Sequence, residues 1–182
     1  EAHTIMGAFL ACEYDWDGAE REFRHALDLG PEISDVWLYY SMFYLRPLGR
    51  YDDALTASKK ALELDPLSPS HHNELGVHHE CLGRYDQAIQ QYRNALELDP
   101  HEIIALSFLG HALLQTGKTD EGIRSLELAV KLSERNPIFL GMTGRAYGQI
   151  GRSEEARKFL SELQQLGEKT YVPPFSIGQV YL

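Results

Sequence analysis

The sequence predicts an all-α fold made of antiparallel helix pairs, and two observations support this prediction. First, apolar residues recur at spacings of three and four along nearly the whole chain, which is the period of an amphipathic helix. Second, similar segments recur every 34 residues, and the clearest are GRYDDALTASKKALELDP at 49–66 and GRYDQAIQQYRNALELDP at 83–100. A period of this length is typical of repeat proteins, in which each unit is stabilised by its neighbours.

Each unit contains a first helix and a second helix, joined by a short turn that contains glycine. Copies of the second helix lie at 14–31, 49–66, 83–100, 117–134 and 151–168. Acidic residues occupy the first turn of these helices, where they interact favourably with the helix dipole, and proline follows three of them. The predicted units are approximately 1–33, 34–68, 69–102, 103–136 and 137–170, with a partial unit at 171–182.

One unit is longer than the others. The first two copies of the second helix begin 35 residues apart, whereas the later copies keep a spacing of 34. Because loops tolerate insertions, we assign the extra residue to the loop around PEISD at 31–35. This assignment fixes the register of the first helix that follows, and with it the predicted faces of that helix.

Small residues recur at one place in every first helix. They are Gly7, Gly76, Gly110, Gly144 and Gly178, with Met42 as the exception in the second unit. Glycine inside a helix costs about 1 kcal/mol relative to alanine, so its return at a fixed place indicates that two helices cross closely there. A 34-residue helix–turn–helix unit with this pattern resembles the tetratricopeptide repeat. The resemblance covers the whole chain and implies a right-handed solenoid of five repeats plus a final half repeat.

We therefore expect residues 1–182 to form a single solenoid. The chain begins and ends inside a repeat, which predicts that it is a fragment of a longer parent chain. Three segments look like repeats of large bacterial regulators: YDWDGAEREFRHALDLGPE, VWLYYSMFYLRPLGRYDDAL and EKTYVPPFSIGQVYL. This second resemblance implies a regulatory or scaffold arm of a larger cytoplasmic protein of bacteria.

In the tetratricopeptide family the concave wall is built mostly from first helices, so the resemblance implies a groove for a peptide or partner helix. The register carries the groove positions onto Tyr39, Phe43, Asn73, Val77, Ser107, His111 and Arg145. Asn73 would bond a backbone amide of the ligand, and Arg145 would bond a carboxylate. Two alternatives stay open: Tyr39 and Phe43 pack between neighbouring repeats, and Arg145 is an ordinary solvated residue. The family's clamp for chaperone tails also needs groove lysines, which repeats 2 to 5 lack.

Composition and motifs exclude several functions. The net charge is -10 without a basic run, which argues against direct binding of nucleic acid, and no apolar stretch approaches the 18 residues of a membrane span. The sequence contains no GxxxxGK[ST], GxSxG, HExxH or CxxC motif. These features predict a non-catalytic protein-interaction module without a cofactor or metal. The alternative is a self-association module that forms a homo-oligomer through its terminal repeats.

The stretch HHNELGVHHE at 71–80 contains four of the eight histidines. The register predicts that His72 and His79 face the core, and that His71 and His78 point away from it. Histidines on the same face are seven residues apart, about 10.5 Å along the helix, which is too far for both to bind one zinc ion. We therefore interpret the stretch as a packed helix, with a site shared with His111 of the next repeat as the open alternative.

Overall fold

The computed structural model describes residues 1–181, and this part of the chain contains helices and loops without a β-strand. The chain divides into two compact units, one from Glu1 to Leu98 and one that begins at Asp99. Each unit is described by itself below. The prediction of one solenoid over residues 1–182 stays a prediction.

The first unit contains six α-helices and one π-helix. They are α1 Ala2–Cys12, α2 Trp16–Leu29, α3 Ser34–Tyr39 with its π-helical continuation Tyr40–Leu45, α4 Tyr51–Leu64, α5 Pro69–Cys81 and α6 Tyr85–Leu98. The helices pack as consecutive pairs, and α4 also packs against α5 of the following pair. The core joins helices of different pairs, because Phe23 of α2 and Leu45 of the π-helix belong to one buried cluster.

The second unit continues the same pattern. Its helices within the described residues are α7 Ile103–Gln115, α8 Thr119–Leu132, α9 Pro137–Gln149, α10 Ser153–Gly167 and α11 Pro174–Gly178, followed by a 3-10 turn at Gln179–Tyr181. The helices α7 and α8 form one pair, and α9 and α10 form the next. The short α11 packs against α9, as expected for a final half repeat.

Side chains at the helix starts show why these segments begin where they do. Asp15 accepts a hydrogen bond from the backbone N–H of Gly18 (2.9 Å), and Asn136 accepts one from Ile138 (2.9 Å). Such N-caps satisfy backbone donors that have no partner inside the helix. The caps therefore terminate the loops and fix the starts of α2 and α9.

The turn inside each helix pair repeats with the sequence period. Gly49, Gly83, Gly117 and Gly151, 34 residues apart, have φ between +69° and +79°, and Tyr14 has φ +63° at the matching place in the first pair. In the turn at Gly83 the N–H of Arg84 donates to the carbonyl of His79 (2.8 Å), which closes the end of α5. Because glycine adopts a left-handed backbone at low cost, the period recurs in the backbone itself.

The recurring glycines of the first helices lie where two helices cross. A methyl group added at Gly76 would be 2.5 Å from the ring of Tyr92 on α6. The same addition at Gly110 would be 2.6 Å from Leu126 and 2.8 Å from the carbonyl oxygen of Gly122 on α8. Atoms at these distances overlap, so the predicted packing requirement is confirmed in both units.

The extra residue of the second repeat lies inside a helix, so its assignment to the PEISD loop is wrong. The loops before α3 and α5 both contain four residues, 30–33 and 65–68. The helix starts at Ser34 and Pro69 are 35 residues apart, whereas the turns at Gly49 and Gly83 are 34 apart. A π-helix absorbs the difference, and the N–H of Arg46 donates to the carbonyl five residues earlier, on Ser41 (3.0 Å).

This insertion changes the register of the second repeat. Ahead of it, residues of α3 correspond to residues 35 positions later in α5, so Ser41 rather than Met42 corresponds to Gly76. Ser41 is fully buried, as a small residue at the helix crossing should be. The same shift places Leu38, and not Tyr39, at the position that Asn73 holds in α5. Met42 is therefore no exception to the rule of small residues.

Candidate functional site

Four of the predicted groove residues lie in the first unit. The rings of Tyr39 and Phe43 are 5.4 Å apart, and both residues are half-buried against the core cluster of α1, α2 and α4. Asn73 is only 7% exposed, whereas Val77 is half-buried. Packing therefore accounts for a large part of this group, although Tyr39 also lines a pocket between α1 and α3.

The other three lie in the second unit, and the structure brings two of them together. His111 on α7 and Arg145 on α9 line one cavity of about 40 Å³, with Met142, Gln149 and Gln179 among their neighbours. Ser107 is 2% exposed and donates its hydroxyl to the carbonyl of Ile104 (2.8 Å). The cavity is thus built by His111 and Arg145, without an indication that Ser107 reaches it.

Arg145 has a donor that its own fold does not use. Its Nε atom is shielded from solvent, and within the described residues it has no hydrogen-bond partner. A buried unpaired donor costs about 1 to 3 kcal/mol, more when the group is charged. An acceptor from a bound molecule would remove that cost, and a carboxylate suits the planar guanidinium group best.

A polar cluster that the sequence did not indicate lies buried in the first unit. Glu74 on α5 forms an ion pair with Arg46, with Nη1 and Oε1 2.9 Å apart, and Oε1 is 3.3 Å from Nε2 of His78. Nδ1 of His78 is 2.9 Å from the hydroxyl of Ser58, which donates to Ser41 (3.1 Å). The cluster links the second repeat, which supplies Arg46, Ser41 and Ser58, to the third.

Burial shifts the protonation of this cluster. Desolvation raises the pKa of Glu74 to about 7, although the nearby Arg46 acts in the opposite direction. Desolvation also lowers the pKa of His78 to about 4, and the positive charge of Arg46 adds to this effect. His78 is therefore neutral at pH 7, and about half of the Glu74 side chains carry a proton.

Ser58, His78 and Glu74 are connected in the order of a hydrolase triad, but their surroundings do not permit catalysis. Such a triad needs a nucleophile that can reach a substrate carbonyl. Ser58 and His78 are fully buried, and the Ser58 hydroxyl bonds to Ser41. The connected side chains therefore stabilise the contact between two repeats. The one sequence signal for the cluster was the spacing of four between Glu74 and His78, which places both on one helix face.

The predicted orientation of the histidines is partly wrong. His71 and His78, predicted to point away from the core, are 1% and 0% exposed. His79 is buried as predicted, whereas His72 is half-buried with Nδ1 2.8 Å from Oε1 of Gln91. The reason is that α5 contacts its own partner α6 on one side and α4 of the preceding repeat on another. Within residues 1–181, no group of three or more His, Cys, Asp and Glu side chains has a geometry suited to a metal ion.

Comparison with known proteins identifies the family. Two family models, both described as tetratricopeptide repeat, match residues 45–103 and 82–139, which together make up more than half of the chain. The chain therefore belongs to the tetratricopeptide repeat family and has its all-α solenoid fold. This is the fold of a protein-interaction or scaffold module, and proteins built from such repeats are generally non-catalytic.

Solved structures share the fold at low sequence identity. TTC0263, a thermophilic tetratricopeptide protein of Thermus thermophilus, superposes with a TM-score of 0.83 and 19% identity over 100% of this chain and 98% of that one. PilW, described as a type IV pilus biogenesis factor, gives a TM-score of 0.82 and 17% identity over 100% and 82%. These identities show the fold alone.

A curated relative shows the repeats inside a much larger protein. Protein O-mannosyl-transferase Tmtc1 of Drosophila melanogaster is 34% identical over 87 residues, which cover 44% of this chain and 10% of that protein. The chain thus spans about a tenth of the length of this relative. The resemblance to bacterial regulators stays a prediction. In the part of the chain that the structure describes, no helix is long and apolar enough to cross a membrane.

Proposed function

We propose that this chain is a non-catalytic interaction module that binds a peptide or partner helix along its first helices, as the regulatory or scaffold arm of a larger protein. The observation that carries the proposal is the cavity of His111 and Arg145, where a cationic side chain keeps an unused donor. The ligand is expected to supply an acidic side chain or a terminal carboxylate at this cavity.

The surroundings of Arg145 favour a peptide over a small ion. Besides the two cationic or titratable side chains, the cavity is lined by Leu114, Leu126 and Met142, which offer apolar contact, and by the amides of Gln149 and Gln179. Amides bond the backbone of a peptide, and apolar side chains anchor one of its residues. A peptide with an acidic residue next to an apolar one therefore fits this lining best.

Selection from a library of random twelve-residue peptides, displayed on phage, tests the proposal with the full chain. We expect enriched peptides to carry Asp, Glu or a free carboxyl end, and Arg145→Gln to weaken their binding about tenfold, because a charged hydrogen bond is lost. Arg124→Gln is the matched control, since Arg124 is exposed on α8. Titration calorimetry of one enriched peptide measures both variants.

Two results would contradict the proposal. The first is a library that yields no peptide bound above background. The second is an enriched peptide whose affinity falls equally in the Arg145 and Arg124 variants, because the effect would then reflect net charge rather than the cavity.

A second candidate function is self-association through the terminal repeats. It is favoured by α1, on which Met6 is 48% exposed and Phe9 is 58% exposed, one helical turn apart. Large apolar side chains that adjoin on one helix face are typical of contact surfaces. This candidate places the partner at the first repeat, whereas the peptide proposal depends on a cavity of the second unit.

A further inference from the structure

A second pocket lies in the first unit, between the first helices of the first two repeats. Its volume is about 190 Å³, large enough for one long side chain, and it is lined by Thr4 and Ile5 of α1, Ile33 of the following loop, and Asp35, Val36 and Tyr39 of α3. Tyr39 was predicted to face the groove, whereas the other five were not. The pocket combines an apolar wall with a small number of polar groups.

The apolar wall is open to solvent. Ile5 is 65% exposed and Ile33 is 45% exposed, and the ring of Tyr39 is partly exposed beside them. Surfaces of this kind bind the aliphatic stem of a lysine or arginine side chain, and an aromatic ring also attracts its charged end. The wall therefore suits a long side chain with an apolar stem.

The charge of the pocket selects the end of that side chain. The Asp35 side chain is 72% exposed, and one of its oxygens is 3.5 Å from Nε2 of the buried His71. Glu1 adds a second carboxylate, and among the described residues that line the pocket there is no Lys, Arg or His. The whole chain carries a net charge of -10. A cationic end is thus attracted, and an anionic end is repelled.

Thr4 adds an independent indication that a polar ligand group is accepted here. Thr4 is 5% exposed, and its Oγ1 has no hydrogen-bond partner within residues 1–181. By contrast, the buried hydroxyls of Ser41, Ser107 and Thr143 each donate to a carbonyl one helical turn earlier. A buried polar group without a partner is rare in native proteins and needs an explanation. A ligand ammonium or guanidinium group would supply the missing bond.

We propose that this pocket binds a lysine or arginine side chain of the partner peptide, with its stem on Ile5 and Ile33 and its charged end at Asp35 and Thr4. The inference rests on the proposed peptide-binding function and adds a basic residue to the acidic one that Arg145 requires. The two can fail separately, because they depend on residues in different units.

The test uses a peptide enriched from the same random library by the full chain, together with a copy in which its basic residue is replaced by norleucine. Norleucine keeps an apolar stem and removes the charge. We expect Asp35→Asn to weaken binding of the basic peptide about threefold to fivefold, as for an exposed ion pair, and to leave the norleucine peptide unaffected. Thr4→Val should weaken the basic peptide further without lowering the stability of the free chain. Asp52→Asn is the matched control, because Asp52 is also an exposed acid in a first turn, on α4.

The outcomes separate the two proposals. Peptides that depend on Arg145 but contain no enriched basic residue, or whose binding is insensitive to Asp35→Asn, would overturn this inference and leave the proposed function intact. Equal losses for the basic and norleucine peptides would also overturn it, because the charge would then be irrelevant. If no peptide binds, both proposals fail together.

Discussion

Glu74 and His78 lie one helical turn apart on α5, and burial shifts their protonation in opposite directions. The pKa of Glu74 rises from 4.5 to about 7, so its contribution to stability is full below pH 4.5 and is lost as pH rises to about 7. The pKa of His78 falls from 6.5 to about 4, so its contribution is full above pH 6.5 and is lost as pH falls to about 4. Between about pH 4.5 and 6.5 the two effects oppose each other.

Single substitutions should reveal the hidden pH dependence of each residue. Compared with the unaltered chain, Glu74→Gln should lose stability steeply as pH falls from 6.5 to 4.5, because His78 is no longer opposed. His78→Gln should instead gain relative stability over the same range. Each difference approaches about 3 kcal/mol if the full shifts apply. Urea denaturation at a series of pH values measures the free energy of unfolding.

The matched control is Glu63→Gln, since Glu63 is an exposed acid on α4. Its difference from the unaltered chain should show little dependence on pH. Parallel pH profiles for the Glu74 and His78 variants would show that burial does not separate their protonation.

At the scale of a helix, the second repeat shows how a one-residue insertion is accommodated. The π-helix Tyr40–Leu45 lets α3 keep its register at the start, while the turn at Gly49 keeps its register at the end. An ordinary α-helix would rotate all following residues by about 100° and turn buried positions outward. The same π-helix is followed by Arg46, whose guanidinium group reaches Glu74.

Deletion of Met42 is therefore expected to be tolerated. Both ends of the helix already hold their positions, so the shortened segment can close as an α-helix with a change in unfolding free energy of about 1 kcal/mol or less. Deletion of Val77, at the matching place in α5, removes a residue that is not surplus and should cost several kcal/mol because it rotates His78 and His79 out of the core. Denaturant melts followed by circular dichroism compare the two deletions, and equal losses would contradict the assignment of the insertion.

At the scale of the whole molecule, the repeats build surfaces that differ along the chain. The pocket at α1 and α3 is lined by carboxylates and apolar side chains, whereas the cavity of the second unit contains His111 and Arg145. Repeats of the same design thus offer different chemistry, because groove positions vary while helix crossings keep small residues.

Self-association is the prediction that belongs to this scale. If the exposed apolar face of α1 pairs two molecules, the mass of the full chain should rise with concentration, and Met6→Gln together with Phe9→Gln should restore a monomer. Leu67→Gln is the matched control, since Leu67 is 73% exposed in a loop after α4. Light scattering over a range of concentrations measures the mass, and a monomer at every concentration would exclude this candidate.

The sequence by itself determined the helix pairs, the 34-residue period, the turn glycines and the crossing glycines. These features are local or recur between neighbours, so periodicity and residue size are enough to reveal them. Gly76 illustrates the point, because its recurrence predicted a close contact that the ring of Tyr92 provides.

Only the tertiary structure decided which polar residues are buried and which groove residues meet. The first helix of a repeat contacts both its own second helix and the preceding repeat, so His71, Glu74 and His78 face a second buried side that no single-helix pattern displays. Histidine and glutamate occur on either side of a protein surface, so their identity does not indicate burial. The position of the inserted residue was also decided by packing, because a loop and a π-helix account equally well for a spacing of 35.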